Sequence, residues 1–370
     1  MTHGVTFLLT LSLSGLLPLA CLWDYDTLIM ERSAVPTALE SIVGYFPRHS
    51  KHYYRWRIKD RESTPVDQRS PSDYDDIAVA YEKLNQHDKA IEVIDAKISR
   101  WPEIGRYESE ANLATFLIHA GRLEEGIEHI EAALAINPKA HFGREIYQKR
   151  LVEYLLQKDV RTNRTHALQF PMRFDEYLYH QRDENKSAEE SVDEYEAGIR
   201  GLIGMLRFGN HDSPVLLAAL GDLLASQLAP EQRDSINANR LAARAYLVAS
   251  YNSDEPARTR NRELAQAAIA MQVGESIESV EAELRAELIQ AEQLQRRIEQ
   301  DEKNWGERGE NLDEMFAADY GQIAPLVVQP RRSPQRLVVR ILVLASVAAL
   351  AIILLVVRKR RHYLKQSAAN

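Results

Sequence analysis

Gly209-Asn210-His211-Asp212 is the first place where this sequence has the residue types for chemistry. An Asn–His turn of this kind can hold a metal ion and a phosphate during metal-assisted phosphoester hydrolysis. That reaction needs further Asp and His ligands from separate strand ends, and the Asp-bearing glycine motifs that would supply them are absent. The flanks, RGLIGMLRF and SPVLLAALG, read as helices. A polar turn in which Asp212 or Ser213 caps the next helix accounts for the residues better. Asp73, Asp75 and Asp76 cluster, as do Asp24 and Asp26, without the glycine and closing glutamate of a calcium loop. Acids at 73–76 instead suit a helix N-terminus. The sequence has no Gly-x-Ser-x-Gly elbow, no glycine-rich phosphate loop and no His-Glu-x-x-His. No catalytic residue, cofactor or metal is therefore expected.

The elements around these residues are helical throughout. Two stretches share one pattern. The first carries Tyr74, Ile77, Ala78, Tyr81, Ala90, Ile94 and Pro102; the second carries Leu113, Ala114, Leu117, Gly121, Gly126, Ile130, Ala133, Leu134 and Pro138. Each puts a small residue (Ala78, Ala114) in its first helix and another (Ala90, Gly126) in its second, where helix axes must close to about 8–10 Å. Each ends on a proline that stops the second helix. The pattern resembles the tetratricopeptide repeat, a helix–turn–helix unit of about 34 residues; the copies here are offset by 36, and Lys97 stands where the first should have its last small residue.

That resemblance implies an all-α fold, a right-handed α-solenoid over residues 71–157, with degenerate helices of the same kind over 201–273. The third unit rests on Leu217, Leu220, Gly221 and Leu224 and on Ala242, Tyr246 and Ala249. It also implies a non-catalytic scaffold that takes protein or peptide partners in a groove lined by first helices. Carried onto this chain, the groove positions are Asp75, Val79, Glu82, Lys83, Glu108, Ala111, Thr115, Ile118 and His119. The N-terminal stretch and these repeats together also resemble exported repeat proteins of bacteria.

Residues 23–61 read as a helical cap, with helices over 34–43 and 52–60. Tyr45, Phe46, Tyr53, Tyr54 and Trp56 alternate there with Arg48, Lys51, Arg55, Arg57 and Lys59. The aromatics are expected to pack and the cations to face water, with binding of an anionic or aromatic ligand as the alternative. Residues 140–157 continue as a helix stacked on the second repeat, and 158–200 form a polar connecting segment. It contains two acceptor patterns for glycosylation, at Asn163 and Asn185. Pro256 opens a helix over 256–273. Residues 275–304 form a long charged helix with a seam of Ile277, Val280, Leu284, Ala291, Leu294 and Ile298, broken by Glu287. It fits a stalk, a homodimer contact, or a helix folded back on the solenoid. Residues 321–336 read as a juxtamembrane tether.

The two ends set the expected location. Residues 1–21 read as a signal peptide, with Cys21, the single cysteine, in a poor relative of a lipoprotein box. Residues 337–357 are apolar apart from Arg340 and are long enough to span a hydrocarbon core of about 30 Å. The basic tail 358–370 then places the C-terminus in the cytoplasm and the N-terminal domain outside it. Net charge is −8, yet residues 331–370 hold nine Lys or Arg and no acid. The remainder carries 37 basic against 54 acidic residues, a balance of −17, which argues against nucleic acid as a partner. A cytosol-facing tail-anchored adaptor and an accessory subunit or enzyme acting on envelope polymers are the alternatives.

Overall fold

Six helix starts among the described residues use a hydroxyl or amide side chain that accepts from first-turn amides. Thr37 and Glu40 form a reciprocal capping box, as do Ser70 and Asp73, the latter followed by Pro71 at the first helical position. Ser50, Ser213, Ser276 and Asn311 cap four more helices in the same way. Ser213 confirms the cap expected after the Asn210–Asp212 turn.

The computed structural model describes residues 37–138, 144–162, 172–181, 188–226, 235–270, 272 and 275–328. Among them are fourteen α-helices and no strand. In chain order they are α1 (Ala38–Val43), α2 (Lys51–Glu62), α3 (Pro71–Lys83), α4 (His87–Arg100), α5 (Arg106–His119), α6 (Leu123–Ile136) and α7 (Arg144–Thr162). Then follow α8 (Phe174–Gln181), α9 (Ala188–Phe208), α10 (Pro214–Ala225), α11 (Ser235–Tyr251), α12 (Ala257–Ile269), α13 (Ile277–Arg308) and α14 (Leu312–Tyr320). No helix among the described residues is long and apolar enough to cross a membrane. The signal peptide, the sequons, the apolar segment 337–357 and the basic tail lie outside the described residues.

Helices α2 to α7 pack each on the next, and α3 also reaches α5. The hairpins α3–α4 and α5–α6 turn by one hydrogen-bond pattern repeated 36 residues on. Gln86 N donates to Tyr81 O at 2.9 Å and Arg122 N to Leu117 O at 2.8 Å. Asn85 N donates to Glu82 O, and Gly121 N to Ile118 O. The turn needs a left-handed residue, supplied by Asn85 (φ 58°) in one and Gly121 (φ 80°) in the other. The small positions Ala78, Ala90, Ala114 and Gly126 are all buried.

The second half closes around the first. Ile42 and Val43 of α1 join side chains of α7 to α13 in the largest apolar core. Helix α13 packs against α11 and α12 at its start and against α1, α2 and α14 farther on. The long helix is thus folded back, and the seam residues on which a dimer contact would rest (Val280, Leu284, Ala291, Leu294, Ile298) are buried inside the chain itself. The N-terminal aromatics pack as expected: Tyr53 meets Leu294, Ile298, Trp305, Leu312 and Phe316. Arg57 departs from its expected place in water. It is wholly buried, its guanidinium 4.7 Å from the Tyr53 ring centroid and 3.6 Å from Asp313. The segment read as a polar connection, 158–200, contains the end of α7, all of α8 and the start of α9.

Helices α10 and α11 touch through Gly221. A Cβ placed there would lie 2.7 Å from Cε1 of Tyr246, whose hydroxyl is held by Asp222 at 2.7 Å. The ring has no room to retreat. Gly221→Val is therefore expected to lower stability by about 2–3 kcal/mol, as overpacking does, although valine is the better helix former. A lower urea midpoint at unchanged slope would register it.

Candidate functional site

The acidic cluster at the start of α3 is divided among three partners. The Asp73 carboxylate accepts from the Ser70 amide at 2.7 Å, and Asp76 accepts from Arg61 Nε at 2.8 Å. Asp75 accepts from Lys97 Nζ through both oxygens, at 2.7 and 2.8 Å. Lys97 is wholly buried. Burial pushes the Asp75 carboxyl up to about 7, against the opposing pull of Lys97. Among the described residues, no group of three or more His, Cys, Asp or Glu side chains converges on a metal position.

A cleft of about 930 Å³ opens where the chain closes on itself. Its walls are the segment 47–54 entering α2, the C-terminal end of α3 with Asn85 and His87 beyond it, His119 at the end of α5, residues 207–212 at and after the end of α9, and Gln295 and Glu299 of α13. Two contacts organise it. Lys83 Nζ donates to the carbonyls of Phe208 at 2.7 Å and Gly209 at 2.6 Å. A cation thereby satisfies carbonyls at the negative end of α9. Glu82 accepts from His119 Nδ1 at 2.6 Å and from His87 Nδ1 at 2.8 Å, tying α5 and the start of α4 to one carboxylate.

The floor of the cleft is cationic. Arg48 Nη1 donates to the Gly44 carbonyl, and the guanidinium lies 5.0 Å from the Phe46 ring centroid. The Arg48 carbonyl accepts from Gln295 Nε2 at 3.0 Å, which ties this loop to α13. A Cβ built on Gly44 would lie 2.9 Å from Arg48 Nη1 and 3.2 Å from His211 Cδ2, so the guanidinium and the imidazole share one patch of backbone. Burial holds His211 down at about 3, with Arg48 and Lys83 adding repulsion. Burial also lowers Arg48 to about 10, partly offset by Asp212. His211 is therefore neutral over the physiological range.

No protein-family model matches this chain, and no curated protein matches it. Its function has to be read from the site.

Of the nine groove positions carried over from the repeat pattern, Val79, Glu82, Lys83 and His119 line the cleft. The other five lie elsewhere. Asp75 is in the buried pair with Lys97. Glu108 is half-buried near Gly105 and Lys97. Ala111 packs with Tyr107 and Ala133. Thr115 is buried and accepts from Gln148 Nε2 of α7 at 3.2 Å. Ile118 crowds Gly126 of α6. Among the cleft residues that repeat reasoning does not supply are Arg48, His211 and Gln295, which come from outside both hairpins. The only sequence signal for them was the Asn–His turn and the cations among the aromatics at 45–59.

Proposed function

We propose that this chain is a membrane-anchored, non-catalytic scaffold, built on a right-handed tetratricopeptide-like solenoid, that docks a protein or peptide segment at the cell envelope. The observation that carries the reading is the cleft between the α3–α5 face and the 207–212 turn. It is preformed and large enough for several side chains, and it presents the half-buried Tyr54 and Phe208 for apolar contact and both signs of charge for selection. The hairpin turns repeated at 36 residues support the repeat architecture. The apolar run 337–357 and the basic tail after it support a single-pass anchor with the helical domain outside the cytoplasm.

The test uses the full-length chain in intact cells, with a photo-crosslinking residue in place of His119 and tags after residue 30 and at the C-terminus. The expected result is a discrete crosslinked protein band that Lys51→Glu, a change at an exposed cleft position, weakens, with the N-terminal tag cut by external protease and the C-terminal tag protected. A domain protected with the cytosol would overturn the topology and favour the tail-anchored adaptor. No crosslink from His119 or other cleft positions would overturn docking.

A further inference from the structure

We propose that the floor of the cleft is a binding site for a phosphate-type oxyanion, held by Arg48 and His211 with Lys83 behind them. The proposal deepens the docking reading by naming the chemistry of the bound group, and it stands on its own residues.

Three facts carry it. First, Arg48 and His211 meet over Gly44 at the bottom of a cleft that has room for a ligand. One guanidinium nitrogen is used on the Gly44 carbonyl. An arginine carries five N–H donors in a planar fork, so most of the fork remains for an anion. Second, like charges crowd here in a chain whose body carries −17. Burial, with repulsion from Arg48 and Lys83 added, keeps His211 deprotonated. A dianion in contact with His211 would set its own attraction against both the burial and that repulsion, and His211 would become a second donor by taking up a proton. A phosphate supplies two negative charges and several acceptor oxygens, which a carboxylate does not. Third, Lys83 is held in position by the two carbonyls that end α9, so its charge is fixed behind the site without closing the fork.

Asp212 is the acid whose field reaches Arg48, and Glu82 and Glu299 also line the cleft. The ligand must compete with Asp212 for the guanidinium. Asp212→Asn is therefore expected to tighten binding several-fold, a direction that damage to the fold would not produce.

The experiment is calorimetric titration of the full-length chain in detergent with inorganic phosphate and, separately, phosphoserine, each against chloride at matched ionic strength. Saturable binding is expected, at least tenfold weaker in Arg48→Gln and several-fold weaker in His211→Gln. Proton uptake by the protein on binding, seen as heat that depends on buffer ionisation, is expected to be lost in His211→Gln, which leaves only the proton exchange of the phosphate itself. Tighter phosphoserine would identify an ester-borne group as the source, and equal affinity free phosphate. No saturation beyond the chloride control, or binding unchanged in Arg48→Gln and Asp212→Asn, would overturn the proposal. A crosslinked partner from His119 without phosphate binding would leave docking standing and remove the oxyanion site; phosphate binding without a partner would do the reverse.

Discussion

Lys97→Met is expected to destabilise the chain by about 3–5 kcal/mol at pH 8, because it removes the cation that offsets the burial of the Asp75 carboxyl. Lys97 is wholly buried and grips both oxygens of Asp75 across the α3–α4 hairpin. Asn112 Nδ2, at 3.5 Å from Asp75 Oδ1, is too far to replace it. The effect carries a pH signature. The folded-state pKa of Asp75 is raised from 3.8 to about 7, so the unfolded chain releases this proton first. Its contribution to stability is therefore greatest below pH 3.8, falls as pH rises from there to 7, and is level above that. Without Lys97 the carboxyl loses its attractive partner and titrates higher still, so the decline continues past pH 7. The loss should shrink toward pH 5, where the carboxyl is protonated in both proteins. Asp75→Asn combined with Lys97→Met should recover most of the stability. Urea unfolding at pH 5 and pH 8 decides the matter; an equal loss at both, or a loss under about 1 kcal/mol, would mean that the pair does not couple as its geometry requires.

The same pair shows where the sequence could and could not be read. Helix positions were legible because they depend on local signals: Ser70-Pro71 opens α3, Ser213-Pro214 opens α10, and the small residues 78, 90, 114 and 126 mark close packing. Helix α8 and helix α14 were not, since each is short and draws its stability from packing: Phe174 and Tyr177 on the core of α7 and α10, Leu312 and Phe316 on α2 and α13. Lys97 looked like a tolerated departure from a small position, and Asp75 like a groove residue. Each was half of a buried pair 22 residues apart. The cleft was half legible for a similar reason. Repeat spacing supplies Val79, Glu82, Lys83 and His119, which lie on the hairpins. Arg48, His211 and Gln295 reach it only because the α1–α2 loop, the α9–α10 turn and α13 close over the first-helix face, and nothing local in the chain encodes that closure.

Glu287→Ala is the second large effect, expected at about 3–5 kcal/mol, and it tests how the closure is held. Glu287 interrupts the apolar seam of α13 and would weaken a coiled coil. Here it is buried and accepts from Arg244 of α11 through both oxygens, from Nε at 2.8 Å and from Nη2 at 2.9 Å. Arg244 Nη2 also donates to Glu283 at 2.8 Å, and Arg240 pairs with Glu275 and Glu283 one turn away. The acids of α13 thus meet a row of arginines on α11, which fixes the register of the long helix against the bundle. Alanine at 287 leaves the Arg244 charge buried with only Glu283 to answer it. Hydrogen exchange should then show α13 losing protection ahead of the α3–α6 hairpins, since α13 does not enter their apolar core. Replacing both partners by Met at 244 and Leu at 287 should restore much of the stability, because apolar packing substitutes for a buried ion pair more readily than half a pair does. If α13 and the hairpins lose protection together, the chain unfolds as one unit. If Glu287→Ala costs no more than an exposed pair, about 1 kcal/mol or less, the arginine row does not hold α13 in place. Because Gln295 and Glu299 are walls of the cleft, a loosened α13 should also weaken whatever the cleft binds, which ties the stability measurement to the functional one.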